Sequence, residues 1–509
     1  MVFEKNIEIK NFINGEWTRE LLGDTSPLFD PSTGDLIGSV PLSSTETSRA
    51  ATKAAKEAFP SWKATPLPKR MDLIFDLITA LKANFEDLAQ SIAFDQGKHI
   101  SEARGEVSRV IDIVQMNCSI PSLLQGTTIQ NISEQINGRV IRAPIGVFCG
   151  VAPFNFPALV FGWFIPVAIA CGNTFVYKPS SESPLFMQLM MTILSDIGLP
   201  KGVVNVVHGD KEVVESWYDD PSVSGICLVG STPTAKAIAS GCGRTGKKTM
   251  LLGGAKNFLL AMDDAPLDAL VQNILMSSFG AAGQRCLAVS NVIATPGIHD
   301  QLVEKLLENA PKIRLGDARD KSVSMGPVIS KQALERIHRY IEDGEKSGAK
   351  LVLDGRNPEL HQDNRNGYFI GPTIFTNVDP SHRIAQEEIF GPVLSILQAG
   401  CIDSALKIIN SHPMGNGAVI FTQNNFYTER FIEKAETGMI GVNVGICAPH
   451  PYMPFGGIKD SLVGNNKVQG QDAITFFTQN KAVTLKTLDP MEAITDNLGN
   501  TEITSCVAS

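Results

Sequence analysis

Gly146-Val147-Phe148-Cys149-Gly150-Val151-Ala152-Pro153-Phe154-Asn155-Phe156-Pro157 reads as a short apolar strand running into a proline-bounded loop. The apolar segment near 158–171 has helix length, and Asn173–Lys178 is strand-like again. A strand, a helix and a second strand of this kind make one β/α unit with the strands buried on both faces. The pattern continues outward with a helix near 184–196, a strand at Val203–His208, a helix over about 210–218 and a strand at Gly225–Val229. Gly230-Ser231-Thr232 opens the next helix, and Lys247–Leu252 reads as a further strand. Such alternation predicts a mostly parallel sheet covered by helices on both faces. Ala143 to Tyr177 carries no charged side chain, which raises a membrane helix as a rival reading. Pro144, Pro153, Pro157 and Pro166 interrupt the stretch, however, and a span needs about 20 continuous apolar residues.

A second β/α system follows. Asn257–Ala261 and Ser290–Ala294 read as strands, and Leu267–Phe279 as the helix between them. Helices are expected near 299–308, 331–347, 402–410 and 426–437, with strands at 349–353, Phe369–Thr376, Gly391–Gln398 and Ala418–Thr422. Ahead of the first system, residues 8–40 read as short strands and turns, with Asn14-Gly15 as a hairpin signal. Helices follow over about 46–60, 67–93 and 100–118, the second marked by Leu73, Leu77 and Leu81 at four-residue spacing. Thr127–Ser133 and Gly138–Ala143 read as a hairpin turning at Asn137-Gly138, a candidate interface arm. Ile474–Leu485 is a β-prone run suited to docking on a neighbour, and roughly 489–509 reads as a loose extension.

A chain of 509 residues exceeds one ordinary core and should divide into two or three domains. Its net charge of −9, without a Lys/Arg tract, argues against nucleic acid as a partner. Nine scattered cysteines form no C-x-x-C pair, and eight histidines form no H-x-x-x-H pair, so neither a disulfide framework nor a metal site is expected. Met1–Lys5 lacks the basic start and apolar run of a secretory signal. The expected compartment is the reducing cytoplasm, or an organelle matrix if a targeting segment has been removed.

Phe279-Gly280-Ala281-Ala282-Gly283-Gln284-Arg285-Cys286 sets one cysteine behind a run of small residues that let backbone approach a ligand closely. From this stretch alone Cys286 is either a nucleophile or a small core residue. No G-x-G-x-x-G fingerprint is expected in this region; Gly230-Ser231-Thr232 stands at a strand-to-helix junction, where it either approaches a pyrophosphate or simply caps a helix.

Taken together, several separated motifs resemble the aldehyde dehydrogenase superfamily over almost the whole chain. They are Ala152–Pro157, Lys178-Pro179-Ser180, Gly230-Ser231-Thr232, Gly280–Cys286, Glu388-Ile389-Phe390-Gly391-Pro392 and Pro454-Phe455-Gly456-Gly457, in that order. The first of these, with Ile169–Val176, Gly283–Cys286 and Phe476–Lys481, is most similar to the CoA-acylating methylmalonate-semialdehyde dehydrogenase branch. The resemblance implies an α/β fold of two Rossmann-like domains with a small β oligomerisation domain. Residues 1–126 and 144–254 would bind the nucleotide, 255–450 would form the catalytic domain, and 127–143 with 468–490 the oligomerisation arm of a homotetramer built from dimers.

The resemblance also implies roles. Cys286 would be the nucleophile, with Asn155 and the Cys286 N–H facing the oxyanion, and Arg285 and Arg109 would grip a substrate carboxylate. Without the resemblance, Arg109 would read as a surface ion pair among Glu102, Arg104, Glu106 and Asp112. NAD would meet Ala152, Phe154, Lys178, Ser181, Glu182, Ser231, Gly253, Glu388 and Phe390, and no metal is implied. The family pattern lysine-proline-serine-glutamate here reads Lys178-Pro179-Ser180-Ser181-Glu182, which displaces by one residue the charge that repels a 2′-phosphate and leaves NADP as an alternative. Hydrolytic members carry a glutamate before paired glycines; here Leu251 or Leu252 occupies that position before Gly253-Gly254, according to how the extra small residue is aligned. A leucine cannot take a proton from water, so a Cys286 thioester should await coenzyme A. The expected reaction is NAD-dependent oxidative decarboxylation of methylmalonate or malonate semialdehyde to propionyl-CoA or acetyl-CoA. The rivals are a hydrolytic NAD(P)-dependent enzyme for another semialdehyde and a non-catalytic protein derived from an enzyme.

Overall fold

In a computed structural model that describes residues 6–18 and 24–487, the unit at 147–178 lies at the centre of an eight-stranded sheet. The order is Leu462–Val463, Lys248–Leu252, Val223–Val229, Val147–Val151, Thr174–Lys178, Val204–Val206, Asn11–Ile13 and Glu16–Thr18. Strands from Lys248–Leu252 through Val204–Val206 are parallel, and the outer pairings are antiparallel. Alternation along Val147–Val151 explains the double cover. Val147 and Cys149 pack with Ala51, Val213 and Ile238 from helices on one face. Phe148 faces the opposite core with Phe164 and Phe175. The helix at Pro157–Ala170 buries every residue but Leu159, so its apolar character belongs to a core helix. Among the described residues no helix is long and apolar enough to cross a membrane.

The second system forms a seven-stranded sheet, ordered Lys350–Leu353, Thr373–Thr376, Val393–Gln398, Val289–Ala294, Asn257–Ala261, Gly417–Phe421 and Met439–Val442. All its pairings are parallel except the first. A three-stranded antiparallel sheet of Thr128–Ser133, Ile136–Pro144 and Thr478–Lys486 projects from this body. Asn173 ties it down: its Oδ1 accepts from the N–H groups of Ile145 (2.8 Å) and Gly146 (3.1 Å), and its Nδ2 donates to Phe477 O (2.8 Å).

Four expectations need correction. The helix expected over 67–93 is two, Leu67–Ala83 and Phe85–Gln96, because Asn84 leaves helical geometry and turns its Nδ2 onto Ala80 O at 2.9 Å. The hairpin turns at Glu134-Gln135 rather than Asn137-Gly138; Gln135 takes the positive φ (60°), and Asn137 Oδ1 instead accepts from Asn131 N–H at 3.0 Å. The β-prone run from Ile474 begins as a helix, Gly470–Phe477, and becomes a strand only at Thr478. Phe476 and Phe477 pack on Phe148, with centroids 5.2 and 4.8 Å away, so tertiary contact overrides their strand preference. Finally, Gly241-Cys242-Gly243-Arg244-Thr245-Gly246 does spell G-x-G-x-x-G, but it closes the helix Thr232–Gly243 and precedes a strand, the reverse of a nucleotide-binding context. The expected extension at 489–509 lies outside the described residues.

Candidate active site

The helix Leu267–Phe279 ends at Gly280, and Ala281, Ala282 and Gly283 then take φ of 49°, 52° and 71°. Left-handed backbone costs a residue bearing a Cβ on the order of 1–2 kcal/mol, so this turn persists only because its surroundings hold it. A Cβ at Gly283 would lie 2.2 Å from Gly391 O, which requires glycine there. Glu102 accepts from Ala281 N–H at 2.9 and 3.0 Å. Gln284 accepts from Ile329 N–H at 2.9 Å and donates to Ala281 O at 3.2 Å. The Cys286 carbonyl receives the Nδ2 groups of Asn257 and Asn416, each at 2.9 Å. The cysteine therefore sits at a clamped turn, half-buried rather than lost in the core.

Asn155 reaches this turn from the other sheet. It is buried, and its Nδ2 donates to Gln284 O at 2.8 Å. A carboxamide nitrogen carries two protons, so one remains for a ligand. Ala152 and Gly230 follow, and Lys178 forms, the carboxyl ends of three adjacent parallel strands, where α/β sheets bind ligands. Ala152 N–H donates to Lys178 O at 3.1 Å. Ser231 caps the helix Thr232–Gly243, its Oγ accepting from Thr234 N–H at 3.4 Å. A Cβ at Gly253 would come 2.7 Å from Thr232 Oγ1, so this strand end admits only glycine. Ser181 is half-buried and Glu182 exposed; the Glu182 carboxylate lies within interaction range of Ser330 and Arg336.

Leu251 and Leu252 separate cleanly. Leu251 points into the core cluster behind the sheet with Ile238 and Cys242, whereas Leu252 belongs to the opposite cluster. Both are buried among apolar groups. Glu388 approaches Gly254 closely enough that a Cβ there would lie 2.9 Å from its Oε2. Burial pushes its carboxyl up to about 7, against a hydrogen bond from Ala255 and the charge of Lys256. Buried Lys256 donates to Ile384 O at 2.7 Å, and burial pulls it down to about 7, opposed by Glu388. Burial also lowers Lys178 to about 8, with Asp210 opposing. Phe390, at φ 55°, meets Phe154 edge to face with centroids 5.8 Å apart. Burial, and then the Glu388 charge, push the Cys286 thiol up to about 12.

A cavity of about 370 Å³ opens onto Cys286, lined also by Arg285, Arg109, Lys98, Trp163 and Phe455. Its charges are mostly spoken for. Arg285 pairs with Glu102, and Lys98 with Glu106 at 2.5 Å. Arg104 points away to Glu86 at 2.7 Å. Arg109 makes no ion pair among the described residues and donates to Pro449 O at 2.5 Å, so the surface-pair reading of this arginine fails. With three cations and two carboxylates at its wall, the cavity carries one positive charge in excess. Among the described residues, no group of three or more His, Cys, Asp or Glu is arranged to hold a metal.

The model of the aldehyde dehydrogenase family matches residues 17–483. The chain belongs to the aldehyde dehydrogenase family. Among curated relatives, this aldehyde dehydrogenase is 41% identical over 476 residues to malonate-semialdehyde dehydrogenase 2 of Geobacillus kaustophilus, covering 94% of this chain and 98% of the relative. It is 40% identical over 479 residues to malonate-semialdehyde dehydrogenase of Halalkalibacterium halodurans, covering 94% and 98%. The crystal structure of methylmalonate-semialdehyde dehydrogenase from Oceanimonas doudoroffii superposes with a TM-score of 0.93 at 37% identity, over 96% of this chain and 99% of that one. A protein from Sinorhizobium meliloti, provisionally assigned the same activity and crystallised with NAD, gives 0.94 at 35% identity over 96% and 99%.

In this aldehyde dehydrogenase, sequence reading missed Gln284, Glu102, Lys98, Asn257 and Asn416. One signal was available. Glu102, Glu106 and Arg109 fall at helical spacing (i, i+4, i+7), which sets three charges on one stripe of the helix Ile100–Met116. The others are long-range partners that no local pattern announces.

Proposed function

We propose that this enzyme oxidises malonate or methylmalonate semialdehyde with NAD and releases the acyl group as a coenzyme A thioester. The reading rests on the Cys286 cavity, walled by an arginine that makes no ion pair among the described residues, together with buried leucines rather than an acid at positions 251 and 252. Arg109 offers a forked, permanently charged donor to the substrate carboxylate. Arg285, held by Glu102, supports the turn beside the nucleophile and contributes less directly to binding.

The Cys286 Sγ attacks the aldehyde carbon as thiolate. Negative charge grows on the carbonyl oxygen, where the spare Nδ2 proton of Asn155 and the Cys286 N–H stabilise it. The ligand groups along the strand ends suit a dinucleotide: Lys178 and Ser231 for ribose and phosphate, Glu388 for the distal ribose, with Ala152, Gly253, Phe154 and Phe390 shaping the groove. NAD, when bound, accepts the hydride that leaves the thiohemiacetal. In the resulting malonyl-type thioester, the bond to the carboxylate breaks with its electrons entering the thioester carbonyl, carbon dioxide departs, and the enolate left behind takes a proton at its α-carbon to give the acyl thioester. A coenzyme A thiol then displaces Cys286. Leucine at both candidate positions offers water no base, so the thioester persists for the thiol. Ser181, in place of a carboxylate, leaves NADP acceptable beside NAD. One observation favours a hydrolytic alternative: Glu388, raised to about 7, is a carboxylate near Cys286 able to act as a base.

The test is a semialdehyde panel with NAD or NADP, with and without coenzyme A, read by mass spectrometry. Acyl-CoA formation dependent on coenzyme A is expected. Free acid at full rate without coenzyme A, and no acyl-CoA in its presence, would overturn the reading. We further infer a homotetramer of dimers joined through the 128–144 and 478–486 sheet, whose outer strand exposes Ile129 and Ile132. Unpaired cysteines throughout the described residues support a reducing compartment such as the cytoplasm.

A further inference from the structure

Lys98 and Glu106 lie beside the cavity with both side chains only 1% exposed, and the reaction proposed above does not use them. Burying two charges costs more than their attraction returns unless every remaining proton and lone pair finds a partner. Here the partners all belong to one segment. Glu106 Oε2 takes Lys98 Nζ at 2.5 Å, while its Oε1 accepts the N–H groups of Ala158 (2.8 Å) and Leu159 (3.1 Å). Those are otherwise unpaired donors in the first turn of the helix Pro157–Ala170. Lys98 Nζ also donates to Asn155 O at 2.6 Å and stands 4.0 Å from the centroid of the Phe156 ring. The pair thus grips residues on both sides of Pro157. With the Asn155 side chain on Gln284 O, the backbone contact from Lys98 leaves that residue little freedom to turn.

We propose that Lys98 and Glu106 are a positioning pair that aims the Asn155 amide at the oxygen of the Cys286 adduct. This rests on the reading of Asn155 as the oxyanion donor. An apolar side chain at 98 could fill the space but could donate neither to Asn155 O nor to Glu106. Lys98 therefore acts through Asn155, and removing both should cost little more than removing Asn155 alone, since residues acting as a unit are not additive.

The experiment measures the single-turnover rate of NADH formation in Lys98→Met, Asn155→Ala and the double variant of the full-length enzyme. Asn155→Ala should lose roughly 100- to 1,000-fold, the usual range for an oxyanion donor. Lys98→Met should lose roughly 10- to 100-fold with the aldehyde KM changed less than about threefold, and in the Asn155→Ala background less than about threefold more. Should Lys98→Met not fold, Glu106→Gln decides in the same two backgrounds, because it keeps an acceptor for Ala158 and Leu159 while removing the charge facing Lys98. An unchanged rate in Asn155→Ala would overturn the oxyanion reading and the pair with it. A large loss in Asn155→Ala combined with a fully multiplicative loss from the second substitution would overturn the positioning role alone.

Discussion

Two arginines near one cysteine have different employment. Arg285 is engaged by Glu102, whereas among the described residues Arg109 makes no ion pair and donates to the Pro449 carbonyl. Arg109→Leu should therefore cost malonate semialdehyde about 1.5–3 kcal/mol of transition-state binding, roughly 10- to 150-fold in kcat/KM, and leave propanal within about threefold. Arg285→Leu should slow both substrates alike, because it loosens the turn rather than the carboxylate site; steady-state kinetics on the two aldehydes distinguishes these outcomes. A second prediction concerns protons. Above about pH 7 Glu388 is mostly ionised, and its negative charge opposes the Cys286 thiolate. Glu388→Gln should then lower the thiol pKa, seen as a downward shift in the pH profile of iodoacetamide alkylation. The residues proposed to carry chemistry could be singled out where a motif names them, as for Cys286, Asn155 and Glu388. Their supports could not. Gln284 looks like an ordinary polar residue until it is seen buried between Ala281, Ile329 and Asn155.

Among the elements, period alone carried much. The alternation of apolar strands with longer helices was readable, and Asn257–Ala261 and Leu267–Phe279 stand where the pattern puts them. Errors gathered where a side chain competes for backbone or where distant packing decides. Asn84 captures a carbonyl and splits a helix that its flanking leucines would continue. Two left-handed alanines after Gly280 run against their own preference and depend on Glu102 and Gln284. The tail is the instructive case, since Phe476 and Phe477 are strand formers held in a helix by Phe148. Phe477→Ala should lower stability by about 3–5 kcal/mol, the range for deleting a buried aromatic, with a depressed melting temperature as the measure. Because Phe477 O also receives Asn173, the arm strand that begins at Thr478 should exchange its amide hydrogens faster in that variant.

Across the whole molecule, each sheet owns part of the site. Asn155 follows a strand of the eight-stranded sheet, while Cys286 precedes one of the seven-stranded sheet. The three-stranded arm stands apart, with Ile129, Ile132, Ile141 and Leu485 exposed on it. If these side chains meet other copies, Ile129→Asp combined with Ile132→Asp should reduce the mass in light scattering from tetramer to dimer or monomer. A wild-type monomer would end that proposal. The layered architecture was readable because strands alternating with helices imply a mostly parallel sheet covered on both faces; the strand orders and the docking of the two sheets were not, because they rest on contacts such as Asn155 with Gln284, 129 residues apart.

That single contact has a consequence for the life of the chain before it is finished. On a ribosome the segment bearing Asn155 emerges and can collapse well before the segment bearing Cys286. Until both have folded and met, the thiol has no amide opposite it and no charged wall around it. The facing of the two groups is thus acquired only when the later segment has been made and has packed against the earlier one.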